Sequence, residues 1–475
     1  MKLDIKVLKF GGSILKDRSD FNMVVDVIER HIREYDFPIP VVSAMKDVTD
    51  GIIGIINSVQ SEPDKDISVF IEKLYKQHVA ALPEGLDHSN SLRNEIKQLE
   101  YVLGYIRNSG ELSDSAYAYA VSRGEKLSCI LLSEHLSLRG VVNVCYAGED
   151  LLVTDENCRD ALVNLDLTGE RLLEKLEVQL GKNIMPVIAG FAGRSESNKI
   201  SILGRGGTDD TAVCLGYCLG AKSVIKYIDQ GGIMTIDPLF LDDVESNHPE
   251  IKMKLGELPE PELIDYLTYV EASELMREER IKVVHYKVLN PLILGDIRFH
   301  VKDIRNPEKK GTIIGPENGI NDGWYGRPKA ISFQRNLSGI RMLPAQSQAP
   351  TAVYAKVFQA LADVGTDVRY ISISGYQISM LMPVSNVADA LNALRALEIT
   401  IDVQQLEGRK ATFSIVGSGM RGVRGFLSRV TGKLAEHGVN IEQATQPYSE
   451  NIIRFSVGDE DIPLAVSAVY KEFFG

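Results

Sequence analysis

The sequence predicts an α/β protein: a mostly parallel open sheet between helices, followed by two small repeated units. Three observations predict it. An apolar run at residues 7–10 reads as a buried strand and breaks into Gly11-Gly12-Ser13. From there to about Asn306, strand-like and helix-like stretches alternate, with glycine turns at strand ends. Beyond Ala330, VFQALADVGTDV (357–368) resembles VTGKLAEHGVNI (430–441), with Gly365 and Gly438 in equivalent places.

The chain has 475 residues, enough for two or more domains. Its formal net charge of −13 argues against nucleic acid or an anionic membrane surface as a main partner. An anionic substrate therefore needs a local basic pocket. No apolar run approaches the ~20 residues of a membrane span, and the first residues pass straight into strand pattern without a cleavage region. Five scattered cysteines, at 129, 145, 158, 214 and 218, read as reduced thiols in a cytoplasmic protein. Cys214 and Cys218 lie one helical turn apart with no nearby ligand partner, which points to core filling rather than metal.

In order along the chain, the strand at 7–10 ends in paired glycines whose bare N–H groups suit a phosphate. Lys9 beside them adds a point charge that can follow a moving phosphoryl group. A tight turn with a solvated lysine accounts for the same residues equally well. A helix is expected over 21–32 and a second strand over 38–44, followed by a polar turn at 45–50. There Thr49 either caps the next helix or faces a ligand. Residues 67–138 read as helical almost throughout, broken around Pro83, with Glu125 placed at the start of an apolar helix and stabilised by its N-terminus. Strands follow at 141–147 and 184–189, separated by a helix near 168–180 with Thr168 as a plausible cap. The run ILGRGGTDDTA is a strand end, a glycine turn and a helix opening. It gathers N–H groups and the Arg205 guanidinium into a good anion site, although an ordinary capped helix with a surface arginine fits too. A strand at 223–228 leads to the turn at Asp229. Residues 271–280 read as a helix, and 281–285 as a strand carrying Lys282. The connection after 306 holds Trp324, expected to anchor it against a domain.

Taken together, KFGGS (9–13), VVSAM (41–45), SRGEKLS (122–128), GRGGTDDTA (204–212) and IVGSGMRG (415–422) resemble the aspartate kinases. The resemblance covers essentially the whole chain. It implies an amino-acid-kinase fold at 1–305, a linker at 306–330, and βαββαβ-type ACT domains at 331–405 and 406–475. It also implies ATP, Mg²⁺ and L-aspartate as ligands, an amino-acid effector, and a homodimer or dimer of dimers through the ACT domains. By the same resemblance Lys9 contacts the transferred phosphoryl group and Asp209 organises that lysine. Gly11, Gly12 and Ser13 cradle phosphates, while Ser43, Ala44 and Thr49 form the substrate-side loop. Glu125 holds the substrate ammonium and Arg205 the carboxylate away from the reacting one. Asp229 and Lys282 serve the nucleotide, and Met420, Arg421, Asn440 and Gln446 surround an effector.

The chain departs from the family's pattern on the nucleotide side. Where the family reads close to T-D-V-D-G-V-Y-T-T-D-P-R, this chain has Ile228, Gly231, Met234 and Leu239 in place of polar residues. Fewer polar partners imply weaker ATP binding or another phosphate donor. The loop 344–350 of the first repeat carries prolines where the family has glycines, which implies weak or absent inhibition by lysine. Two other readings stay open: a catalytically weak paralogue acting as an amino-acid-sensing subunit, and a same-fold kinase for another small amino acid or carboxylate.

Overall fold

The computed structural model describes residues 4–475 except 35, 63, 230, 277–285, 318–323, 345–348, 376 and 398–400. The expected strand carrying Lys282 lies outside the described residues, as does most of the loop 344–350. Among the described residues the strands are β1 (Ile5–Phe10), β2 (Phe37–Val42), β3 (Asn143–Tyr146), β4 (Val153–Thr154), β5 (Met185–Ala189), β6 (Ala192–Ser195), β7 (Ile200–Ile202), β8 (Ser223–Ile228), β9 (Tyr266–Thr268), β10 (Arg298–Asp303), β11 (Thr312–Gly315), β12 (Ala330–Pro344), β13 (Tyr370–Ser374), β14 (Gln377–Pro383), β15 (Ile401–Gln405), β16 (Lys410–Val416), β17 (Gln443–Thr445) and β18 (Ile452–Gly458). No described helix is long and apolar enough to cross a membrane.

The chain divides into two compact units. The first holds the described residues of Met1–Ile233, Leu263–Met276 and Lys282–Ile320. Its eight-stranded sheet runs β3-β5-β2-β1-β8-β10-β11-β9. Every pairing is parallel except β10 with β11. The central strands are apolar on both faces, as a sheet covered by helices requires: Val7, Leu8 and Phe10 are fully buried. The chain leaves β1 for β2 on one side and returns as β8 on the other, so the strand order reverses at β1. Ligands of open α/β sheets settle at such a point, outside the carboxyl ends of the strands. A hairpin of β6 and β7, with β4 beside β6, makes a separate three-stranded sheet.

Helix boundaries follow local chemistry. Asp17 caps the helix Arg18–Arg33 by accepting from the N–H groups of Ser19 and Asp20. Two cap expectations are corrected. Thr49 lies inside the helix Val48–Ser61, whose cap is Asp47 at φ 65°. Thr168 lies inside Leu165–Gly181, whose cap is Asn164, and its hydroxyl instead accepts from the Val153 N–H at 3.0 Å. Glu125 is corrected as well. It sits mid-way along the 25-residue helix Asp114–Leu138, which opens at Ser113, so no helix terminus stabilises it. Cys129 on this helix and Cys145 on β3 form a disulfide, against the expectation of five free thiols. The Cys158, Cys214 and Cys218 thiols remain free.

The second unit holds Met234–Glu262 and the described residues beyond Asn321. Its two repeats are fused into one seven-stranded sheet rather than two paired ones. The cause is the 15-residue β12. The part of β12 before Leu337 pairs with β16; the part after it pairs with β14 and β15; the register shifts between Gln334 and Leu337, where Asn336 takes φ 58°. The repeats are otherwise equivalent. Gly365 and Gly438 follow the helices Pro350–Asp363 and Phe426–Glu436 at φ 63° and 73°, left-handed positions that favour glycine. Each repeat has its own core, around Val353, Val357 and Met380 in the first and around Val430, Phe413 and Phe455 in the second. Ile236, Phe240, Val244 and Ile251 of the Met234–Glu262 segment join the second of these cores. Trp324 packs near Phe474, with ring centroids 6.4 Å apart.

Candidate active site

The carboxyl ends of β1, β2 and β8 bring the central residues together. Lys9 of β1 stands in register with Lys226 of β8, and both side chains are buried. In a parallel pair, residues in register point to the same face. There the first turn of the helix Gly207–Cys218 supplies Asp209. Lys9 Nζ lies 2.8 Å from Asp209 Oδ1, and Lys226 Nζ lies 2.7 Å from Oδ2. Burial alone would raise the Asp209 pKa, but the Lys226 and Lys9 ammoniums outweigh it and hold the carboxyl below its ordinary value. Asp210 is turned elsewhere. Burial pushes it up to about 6, and the Cys214 thiol donates to it at 3.7 Å.

The glycine turn sits on this ion cluster. A Cβ on Gly11 would lie 3.2 Å from Lys9 Nζ, so the ammonium rests against the turn. Gly12 allows a closer approach still, because a Cβ there would stand 2.9 Å from the Ala44 carbonyl. On the helix Asp114–Leu138, a Cβ on Gly124 would stand 2.8 Å from the Ala44 Cβ and 3.7 Å from the Thr49 Oγ1. Ala44 is therefore packed between two glycines. That packing brings the neighbouring Glu125 within reach of the Ala44 N–H, which donates to its carboxylate.

Glu125 is 3% exposed, and its Oε2 has no hydrogen-bond partner. Burial pushes its pKa up to about 8, against the pull of the Ala44 N–H and of the Arg123 and Lys9 charges. A buried carboxylate with one oxygen unserved is a group that awaits a donor or a cation. The helix carrying it is pinned by Arg123, which pairs with Glu95 at 3.0 Å and with Glu149, and which stacks on the Tyr119 ring. These carboxylates hold the buried guanidinium firmly charged.

On the β2 side, the Ser43 N–H donates to the Phe10 carbonyl, and Ser43 Oγ lies 3.0 Å from Thr208 Oγ1. This ties the loop after β2 to the helix that carries Asp209. Lys287 donates to the Leu203 carbonyl at 2.9 Å and pairs with Asp160, bracing the strand end before the Gly204–Gly207 turn. Arg205 in that turn is exposed, as are Ser13 and Asp229. Lys9, Gly11, Gly12, Ala44, Thr49, Glu125 and Asp209 thus form one connected cluster, joined to Ser43 through Thr208. Arg205, Ser13 and Asp229 are exposed, and Lys282 is outside the described residues. In the second unit Met420 is packed in the core, while Arg421, Asn440 and Gln446 are exposed and the Arg421 Nε–H donates to the Ser449 carbonyl.

Lys226 is the site residue that sequence reasoning passed over. Its signal was a lone charge in the otherwise buried run SVIKYI, a position where an unpaired lysine is not tolerated. Among the described residues, His31, Glu34 and Asp36 form the one trio with metal-ligating atoms within 4.8 Å of one another. Both imidazole nitrogens there are already engaged, by Asp36 at 2.7 Å and by the Tyr227 hydroxyl at 3.0 Å.

Comparison with known proteins adds the family. A model of the amino acid kinase family matches residues 4–303, and an ACT domain model matches residues 413–473. The chain is 26% identical over 488 residues to a bifunctional aspartokinase/homoserine dehydrogenase of Haemophilus influenzae, covering 99% of this chain and 56% of that protein. It is 26% identical over 496 residues to the chloroplastic aspartokinase 1 of Arabidopsis thaliana, covering 98% of this chain and 80% of that one. The crystal structure of Escherichia coli aspartokinase III in complex with aspartate and ADP is similar at a TM-score of 0.80 and 23% identity, over 99% of this chain and 100% of that one. An aspartate kinase of Clostridium acetobutylicum is similar at a TM-score of 0.73 and 20% identity, over 98% and 100%. These structural likenesses show a common fold.

Proposed function

The chain belongs to the amino acid kinase family, and on that premise we propose that it transfers the γ-phosphoryl group of ATP to the β-carboxylate of L-aspartate, as the aspartokinases it resembles are named for doing. The product is 4-phospho-L-aspartate, the first step toward lysine, threonine and methionine. The observation that carries the proposal is Glu125, buried with Oε2 unserved beside a cluster of two ammoniums and one carboxylate. An amino acid with a second carboxylate meets both needs, its ammonium at Glu125 and its reacting end at the cations.

In this reading an oxygen of the β-carboxylate attacks the γ-phosphorus, a new P–O bond forms, and the bond to the ADP oxygen breaks. The carboxylate is already ionised, so the step needs no general base. Lys9 and the N–H groups of Gly11 and Gly12 balance charge on the moving phosphoryl group, with Asp209 holding Lys9 in place. Arg205 takes the α-carboxylate. Its exposure makes that contact worth less than a buried pair. Mg²⁺ bound with the nucleotide phosphates would offset part of their charge.

The first unit acts as the catalytic domain, so the expected bounds 1–305 and 306–330 shift: Met234–Glu262 belongs to the second unit and β11 (Thr312–Gly315) to the catalytic sheet, with 331–405 and 406–475 as the ACT domains. Arg421, Asn440 and Gln446 are accessible to an amino-acid effector, whereas Met420 contributes core packing. The outer strand β13 exposes Ile371 and Ile373, and a paired second copy covers such an edge. We expect a homodimer or dimer of dimers in sedimentation velocity; a monomer at micromolar concentration would remove this part. The chemistry itself is tested by trapping the acyl phosphate with hydroxylamine in the presence of aspartate, ATP and Mg²⁺.

A further inference from the structure

Asp209 is shared. One oxygen holds Lys9 at 2.8 Å and the other holds Lys226 at 2.7 Å, with all three side chains buried. A carboxylate bound through one oxygen can still pivot about its side-chain bonds. Bound through both, from two adjacent strands in register, it cannot move without breaking a buried ion pair. Lys9 rests against Gly11, so its ammonium is aimed by whatever fixes Asp209.

We propose that Lys226 is a positioning residue for the phosphoryl transfer: it anchors the second oxygen of Asp209 and thereby fixes the Lys9 ammonium at the glycine turn. The role rests on the phosphoryl-transfer reading above. Among the described residues, Lys9 from β1 and Asp209 from the helix Gly207–Cys218 act electrostatically on Lys226; its register partner on β10 is the apolar Val301. Burial, followed by the Lys9 charge, pushes Lys226 down to about 8 despite Asp209, below the ordinary lysine value.

The test compares wild type, Lys226→Met and Lys226→Arg by initial rates across pH 6.5–10. Alongside, the acylation rate of Lys9 in the ligand-free proteins is followed at pH 7, where Lys226 keeps its proton, with acetic anhydride and mass spectrometry. Lys226→Met is expected to lower kcat about 100-fold, with the aspartate KM changed less than about threefold. Lys226→Arg is expected to recover at least tenfold of that loss. It should also abolish the alkaline fall in kcat near pH 8, because a guanidinium keeps its proton. Lys9 should be acylated at least threefold more slowly in Lys226→Met, since the whole Asp209 charge then falls on it. Should Lys226→Met fail to fold, the missing alkaline fall in Lys226→Arg carries the decision. An unchanged kcat in Lys226→Met, unchanged Lys9 acylation, or a wild-type alkaline fall in Lys226→Arg overturns the proposal. If wild type forms no acyl phosphate from aspartate, the aspartate reading fails by itself, and Lys9 acylation still decides whether Lys226 governs Lys9.

Discussion

Lys9→Met is expected to lower kcat by about a thousandfold while leaving the aspartate KM within a few fold of wild type. The ammonium rests against Gly11, where a phosphoryl group would be cradled, and is buried enough for its charge to act at low dielectric. It stabilises charge that is in transit rather than charge that is merely bound, so its removal falls on kcat. Asp209 keeps Lys226 as a partner in the variant, and the fold is expected to survive. Steady-state rates with far-UV circular dichroism check this. Near-normal turnover would mean that the Gly11–Gly12 turn does not handle the phosphoryl group.

Glu125→Gln is expected to raise the aspartate KM about a hundredfold or more, because removing one partner of a buried charge pair commonly costs ~2–5 kcal/mol. Glutamine keeps the shape and the Ala44 contact but offers no charge to the ammonium. The pH dependence follows from the same group. With a pKa near 8 in the free protein, Glu125 must lose its proton before it can take an ammonium. Wild-type kcat/KM for aspartate should therefore fall about tenfold per pH unit below 8, and this acid limb should be absent in Glu125→Gln. The stability effect has the opposite sense. A carboxyl whose folded pKa is raised favours the fold below its ordinary value, and that contribution is lost as pH rises through about 8. Without ligand, the glutamine variant should then melt above wild type at pH 9 and close to it at pH 5. A flat kcat/KM profile in wild type would show that Glu125 does not meet the substrate ammonium.

The elements that a sequence makes legible are those written in local pattern. β1, β2, β5 and β8 are apolar runs with glycine or polar ends, and they lie where those runs lie. The repeat around Gly365 and Gly438 was visible because both glycines serve the same left-handed position. What depends on neighbours distant in sequence was not legible. Glu125 reads as a helix start because a strongly apolar run follows it, but Gly124 beside it can sit in a helix interior where a close approach needs it. Gly124 is the close-approach point for Ala44, so Glu125 lies in the middle of a helix. The Lys226 partnership required knowing that β8 pairs with β1 in the register Lys226 to Lys9. The fusion of two repeats into one sheet required the length and bulge of β12, and the Cys129–Cys145 bridge required the packing of a helix on β3.

Glu125 and the Lys9–Asp209–Lys226 cluster together make an aspartate site. It is tested most directly by acyl-hydroxamate formation with ATP and Mg²⁺, comparing aspartate with glutamate and with succinate, a dicarboxylate that lacks the ammonium. Robust hydroxamate is expected with aspartate, little with glutamate because its longer chain misplaces the reacting carboxylate, and little with succinate because Glu125 then has no cation to hold. Equal product from succinate and aspartate, or none from aspartate, would contradict it.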